Sequence, residues 1–373
     1  MTDAAGRMGA DPLLSPKPAD GDESHEERPA LTITRRNLVG LAGFLVAALV
    51  ALYFLLPQLA GLNDTWNRIE DGRPEWMAAA LVMTLGMFGG YVAMFRGVFV
   101  RGGSQIGWAP SYQITMAGLA ASRLFAAGGA GGLVLTAWAL RRSGMRSRTV
   151  ADKTISFLVL TYLPYVFAVV VCGFGLHWGV FAGSDPFSLT AVPAAVGVVL
   201  MALALAIAFI PTDLQRRLSG FAAREGRIGR LMQRLATVPA ATSAGVRDAL
   251  HHLRSRDPAL LGAVLFWGCQ IGVLWAAFHA FGEAPPLAVL IQAFFLGMLG
   301  NLLPMPGGVG GVEGGMIGAF AAFGVDSGLA VVAVLVYRAF TFWLPLVPGV
   351  IAYFRLRRTV DRWQQEQTAS ATV

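Results

Sequence analysis

Long apolar stretches separated by short polar junctions dominate this chain. Nearly uncharged runs occupy Leu38–Ala60, Glu75–Val100, Ala151–Leu176, Leu189–Ile210, Pro258–Phe281 and Gly328–Phe354. As a helix, each is long enough to cross a hydrocarbon core of roughly 30 Å. The pattern predicts six full crossings. Two further apolar segments, Pro110–Leu140 and Pro286–Phe323, are interrupted midway. The interruptions are Gly128-Gly129-Ala130-Gly131-Gly132 and Pro304-Met305-Pro306-Gly307-Gly308-Val309-Gly310-Gly311, where helices stop.

The junction charges decide what the broken segments do, because Lys and Arg in short loops favour the cytoplasmic side. With the N-terminus inside, the cytoplasmic junctions collect Arg35, Arg36, Arg101, Arg141, Arg142, Arg146, Arg148, Lys153, the arginine-rich 212–257 loop and Arg355, Arg357, Arg358 and Arg362. The opposite junctions hold Arg68 and Arg73 against Asp64, Glu70, Asp71, Glu75, Asp185, Glu283 and Asp326. The count works only if each broken segment returns to the side it entered, so both are expected to be re-entrant helical hairpins. The order span, broken hairpin, span then occurs at 75–176 and again at 258–354 with opposite starting sides. That is an inverted repeat, a plan in which discontinuous helices from two halves build a site near the bilayer midplane. Backbone that is not helical at membrane depth needs protein or a water-filled cavity for its hydrogen bonds. The competing reading is a tight bundle whose glycines serve close helix approach.

Composition agrees: 55% of the 373 residues are hydrophobic, 14% are charged and the mean hydropathy is +0.59. Residues 1–37 are polar, with Pro12, Pro16, Pro18 and Pro29 and an acidic run, and are expected to be a disordered cytoplasmic tail. The first apolar run is too long for a signal-peptide core and should remain as a helix. The membrane domain is expected over 38–358 and a second cytoplasmic tail over 359–373. Cys172 and Cys269 lie inside apolar runs, which indicates neither disulfide nor metal chemistry. The net charge of +7 is explained by the topology of the basic residues, without nucleic acid.

Charges at membrane depth are costly, so each asks for a reason. Arg96 lies near the end of its span and can snorkel. Arg123 sits just before the first glycine apex, and Arg338 lies about ten residues into the last span. Glu313 follows the second apex, where a helix N-terminus favours negative charge. The arginines offer donor forks suited to a lipid phosphate, and Glu313 can pair with one of them or take up a proton. A buried ion pair that fixes the helices is the plainer alternative. Asn301, with Gln270 and Gln292, is a weaker polar lining candidate, and the apex glycines Gly307, Gly308 and Gly310 would let a ligand approach. Gly308-x-Gly310 is no dinucleotide fingerprint, and His251-His252 beside Asp248 lacks further ligands at metal spacing. No cofactor or metal is expected.

Over Pro304–Glu313 the chain resembles the transmembrane, flippase-like region of bacterial lysylphosphatidylglycerol synthases. The likeness runs from about Arg35 to Arg358, with echoes at Gly128–Gly132, at Leu140-Arg141-Arg142-Ser143-Gly144 and at Tyr337-Arg338 with Pro345, Pro348 and Gly349. In the synthases this region is thought to move aminoacylated phosphatidylglycerol between leaflets. The resemblance therefore implies transport of a phospholipid or polyprenyl-linked lipid in a bacterial cytoplasmic membrane. The soluble aminoacyl-transferase domain is not expected in a chain ending at Val373, so no synthase activity is implied. First hairpins of the family often carry an acid near the apex, where this chain has Gly131 and Gly132, so a symmetric pair of acids is not expected. Anionic membrane lipids are the expected partners. A homo-oligomer, and an accessory role presenting lipid to a separate glycosyl- or acyltransferase, stay open. Arg338→Ala is expected to abolish translocation while sparing folding.

Overall fold

The computed structural model describes residues 72–101, 106–124, 130–208, 257–303 and 308–371, together with 246–249, 251, 252 and 255. The expected tail 1–37, the span Leu38–Ala60, most of the 212–257 loop, Gly307 and the Gly128-Gly129 part of the first apex lie outside the described residues. Helix is the only regular structure among the described residues.

The helices are α1 (Pro74–Phe95), α2 (Trp108–Leu124), α3 (Ala130–Arg142), α4 (Ser147–His177), α5 (Ala191–Ala208), α6 (Pro258–Phe281), α7 (Leu287–Met298), α8 (Gly311–Ala322), α9 (Ser327–Arg338) and α10 (Leu346–Ala371). A π-helical turn, Arg96–Val100, extends α1, and another, Ala339–Trp343, joins α9 to α10. Pro at the first turn of α1 and of α6 starts a helix without losing a hydrogen bond. Asp257 caps α6 through the Ala259 amide at 3.0 Å, and Asp326 caps α9 through the Leu329 amide at 2.9 Å.

Among the described residues, four helical stretches are long and apolar enough to cross a membrane: Pro74–Val100, Ser147–His177, Pro258–Phe281 and Ser327–Ala369. Over the expected Leu189–Ile210 crossing the structure has α5, a shorter apolar helix that is not one of the four. The last helix overruns its expected end. Leu356, Val360 and Trp363 continue an apolar stripe at helical spacing, so residues assigned to a tail stay helical and pack against the first hairpin. There Thr359 Oγ1 donates to Gln113 Oε1 at 2.8 Å.

α1 and α6 run antiparallel along their whole lengths. The Arg73 amide bonds the Ala280 carbonyl at one end, and Arg101 pairs with Asp257 at 3.0 Å at the other. Glycine makes the approach possible: a Cβ on Gly262 would lie 2.6 Å from the Gly90 carbonyl oxygen and from the Met94 nitrogen. Each broken segment folds as an antiparallel helical hairpin. In α2–α3, Gly118 faces Thr136 and Ser122 faces Gly132; in α7–α8, Gly297 faces Met316 and Gly300 faces Gly311.

The two ends of the bundle differ in charge. Lys153 Nζ bonds the Phe99 carbonyl and Gln367 bonds the Arg142 carbonyl, which gathers Arg101, Arg141, Arg142 and the Arg355–Arg362 arginines at one end. At the other, Ser184 bonds the Phe323 carbonyl and Gly282 abuts Leu329, which gathers the acids Asp185, Glu283 and Asp326. Two apolar cores fill the interior. One joins α7 and α8 to α6 and α9 through Phe278, Phe294, Phe295, Met316, Phe320 and Tyr337; the other joins α2 and α3 to α1, α4 and α10 through Phe95, Ile114, Leu140, Phe157 and Leu356.

Candidate functional site at the last span

The chain reverses from α7 to α8 through glycines with positive φ, +65° at Gly308 and +85° at Gly310, where an L side chain would be strained. α8 starts directly afterwards. Its first-turn acid, Glu313, reaches back, and Oε2 accepts the Gly310 amide at 2.7 Å. That bond satisfies an amide left without an intrahelical partner and places a carboxylate at the positive end of α8. The other oxygen, Oε1, accepts Arg338 Nε at 2.6 Å. Glu313 is 1% exposed and Arg338 5%, so this pair is shielded from water on both sides. Glu313 thus ties the apex of the second hairpin to the end of α9.

Arg123 approaches the same place from the first hairpin. Pro345 has no N–H, so the Thr341 carbonyl four residues earlier loses its normal helical donor. Arg123 supplies one, with Nη2 donating to the Thr341 carbonyl at 2.6 Å and Nη1 to the Phe342 carbonyl at 3.4 Å. Both cations approach the Phe342 ring, whose centroid is 4.3 Å from Arg338 Cζ and 5.6 Å from Arg123 Cζ. Such cation–ring contacts are worth roughly 0.5–2 kcal/mol depending on desolvation. Next along α9, Tyr337 OH donates to Gln270 Oε1 of α6 at 3.0 Å.

Of the residues expected from sequence, the fold brings Arg123, Glu313 and Arg338 together around the π-helical turn of the last span. Asn301 lies elsewhere: it is exposed at the hairpin tip, bonds the Met298 carbonyl at 3.1 Å and sits against Gly308. Gln292 serves a local role, bonding the Leu189 carbonyl at 2.8 Å. Arg96 does not simply snorkel. Its guanidinium stacks 3.9 Å over Trp108 and donates to Ser111 Oγ at 3.0 Å, which moors the first hairpin to α1. Sequence reasoning missed Phe342 and the Thr341 carbonyl. The signal for both was Pro345, four residues after Thr341. It set His252 beside Asp248 but missed Asp257: His252 Nδ1 lies 3.2 Å from Asp257 and Nε2 lies 3.6 Å from Asp248. Burial pushes the Asp257 carboxyl up, but the Ala259 amide, His252 and Arg101 outweigh it and hold it below the ordinary carboxylate value.

Removing Arg338 would strand a buried carboxylate. The expectation that Arg338→Ala spares folding therefore does not follow from this geometry, because breaking a buried pair on one side typically costs about 3–5 kcal/mol.

These features define a polytopic helical membrane protein with an ion pair buried where a glycine-broken hairpin meets its last span. The chain belongs to the family described as the lysylphosphatidylglycerol synthase TM region, whose model matches residues 40–349. It is similar to a UPF0104 membrane protein of Methanothermobacter thermautotrophicus, 23% identical over 321 residues, which cover 82% of this chain and 92% of that protein. A further UPF0104 match from the same organism is 31% identical over 116 residues, covering 29% of this chain and 35% of the relative.

Proposed function

We propose that this chain is a lipid transporter, not an enzyme, which moves a phospholipid or polyprenyl-linked lipid between the leaflets of a bacterial cytoplasmic membrane. The observation that carries the reading is the Glu313–Arg338 pair, buried at 2.6 Å where the second hairpin meets the last span, with Arg123 at the same Phe342 ring. Ionisable groups in the interior of a membrane bundle are expensive and mark substrate pathways more often than packing alone.

In this reading α1, the α2–α3 hairpin and α4 form one repeat, and α6, the α7–α8 hairpin and α9 form its inverted counterpart. Both hairpins are re-entrant, and six helices cross fully. The antiparallel pairing of α1 with α6 and the gathering of most arginines at one end, with Asp185, Glu283 and Asp326 at the other, support that arrangement. The basic end faces the cytoplasm, as do both termini. Arg123 and Arg338 hold the lipid phosphate, Glu313 balances the charge, and Asn301 with Gly308 and Gly310 lines the approach. The acyl chains stay in the bilayer while the head group passes, so a protein path need admit only the polar end.

Leaflet exchange of acyl-labelled phosphatidylglycerol, lysyl-phosphatidylglycerol and a polyprenyl phosphate in proteoliposomes tests this. Exchange by the folded protein, absent from protein-free vesicles, is the expected result. No exchange of any of them by monodisperse protein would overturn the reading, and stoichiometric co-purification of a glycosyl- or acyltransferase would then favour the accessory role.

A further inference from the structure

α10 has two unlike faces. On one side Ala352, Leu356 and Val360 pack on the first hairpin, and a Cβ on Gly349 would lie 2.7 Å from that of Ala120. On the other side Leu344, just before α10, and then Val347, Ile351 and Phe354 are exposed at helical spacing, a stripe that in a membrane meets acyl chains. The stripe does not stop at Phe354. At 3.6 residues per turn the same face continues through Arg355, Arg358 and Arg362, all exposed. The acids of this helix, Asp361 and Glu366, come after Arg358, so the turn from Arg355 to Arg358 meets the apolar stripe with cations alone. Depth fits a lipid head group. Arg358 lies about 6 Å beyond Phe354 along the axis, and the head-group layer on each side of a bilayer is roughly 5–8 Å thick. The next residue, Thr359, bonds Gln113 of α2, whose first turns expose Trp108 and Tyr112. Rings of this kind collect at the membrane–water boundary, which places Arg358 at the level of lipid phosphates independently of the stripe.

We infer that the outer face of α10 is a binding site for an anionic phospholipid of the leaflet at the basic end, with acyl chains along Leu344, Val347, Ile351 and Phe354 and the phosphate at Arg355 and Arg358. Charge complementarity selects the occupant. Guanidinium forks suit phosphate oxygens, and basic side chains at this level favour head groups that bring no cation of their own. Topology by itself asks only for arginines somewhere at this end and is indifferent to the face they occupy. Their alignment with the lipid-facing stripe is what marks a site. It lies on the outside of the bundle, apart from Arg123, Glu313 and Arg338, and stands whether or not the chain transports lipid.

The test presents the full chain, in mild detergent, with equimolar phosphatidylglycerol and phosphatidylcholine, and native mass spectrometry counts the lipids retained. Phosphatidylglycerol should be retained in preference. Arg355→Gln with Arg358→Gln should weaken retention of one phosphatidylglycerol by at least about tenfold. Arg146→Gln with Arg148→Gln removes the same charge from exposed positions at the same end and should leave that lipid in place. Soluble glycerophosphoglycerol, which has the head group without the chains, should not displace it at millimolar concentration. Thermal unfolding shows that each variant is folded; if the α10 pair does not fold, Arg358→Gln alone, with retention about fivefold weaker, decides. Equal retention of the two lipids, or an α10 pair no more damaging than the Arg146, Arg148 pair, would overturn the site. Displacement by the soluble diester would overturn its assignment to a lipid. None of these results bears on leaflet exchange, so the two readings fail separately.

Discussion

The two hairpins have the same plan but are held in opposite ways. The first, α2–α3, is moored from outside itself: Arg96 of α1 stacks on Trp108, Thr359 of α10 bonds Gln113, and Arg123 reaches across to backbone carbonyls of the last span. It offers a cation to neutral oxygens. The second, α7–α8, is buried among α6 and α9 by Phe294, Phe295, Met316 and Phe320, and it offers a carboxylate to a cation. Both gestures end on the same short stretch, Arg338–Phe342, where a π-helical turn and Pro345 interrupt regular hydrogen bonding. Two helical hairpins thus carry different chemistry. The last span is the element to which both hairpins answer.

That contrast can be broken from either side. The largest effect should come from the second hairpin: Glu313→Ala leaves Arg338 buried without its carboxylate and should cost about 3–5 kcal/mol, read by thermal or denaturant unfolding in detergent. The double variant Glu313→Ala, Arg338→Met should recover much of that loss. Additive losses in such a cycle would show that the two side chains are not coupled. From the first hairpin, Arg123→Met should cost less, about 1.5–3 kcal/mol, because it removes charged hydrogen bonds to neutral carbonyls and strands no opposite charge.

The reason this difference was only half legible in the sequence lies in the residues themselves. Arg123, Glu313 and Arg338 are conspicuous because charge is rare in apolar runs, and the glycine clusters mark both reversals. The hairpins, the helical class and four long apolar helices could be read from periodicity and breakers. What the sequence could not supply was partner identity. Nothing local says that Arg123 serves a carbonyl freed by Pro345, 222 positions away, that Arg96 stacks on Trp108, or that Asn301 faces out. The helical continuation to Ala371 was hidden by its arginines, which look like a tail until the stripe of Leu356, Val360 and Trp363 is traced.

Smaller effects sharpen the comparison. Thr359→Val removes the Gln113 bond that clamps the first hairpin to α10 and should cost about 0.5–1.5 kcal/mol, with no effect on a Glu313 variant's loss, since the two sites share no partner. Asp257 lies outside both hairpins. Its carboxyl is held below its ordinary value, so its stabilisation is complete above the unfolded value of about 4 and is lost as pH falls through the lower folded one. Asp257→Asn should therefore lower stability by a constant amount from pH 5 to 8, a deficit that shrinks as pH falls below about 4. A deficit that stays the same below about pH 4 would point to a packing role.

The most direct test of the central claim is phosphatidylglycerol exchange by Arg338→Lys. Lysine keeps the charge beside Glu313 and removes the planar fork. If Arg338 holds a lipid phosphate, exchange should fall by at least about tenfold, the scale of one lost charged hydrogen bond, while the unfolding temperature stays close to that of the parent. Unchanged exchange in the folded variant would contradict the account, and the pair would then stand as a brace for the second hairpin alone.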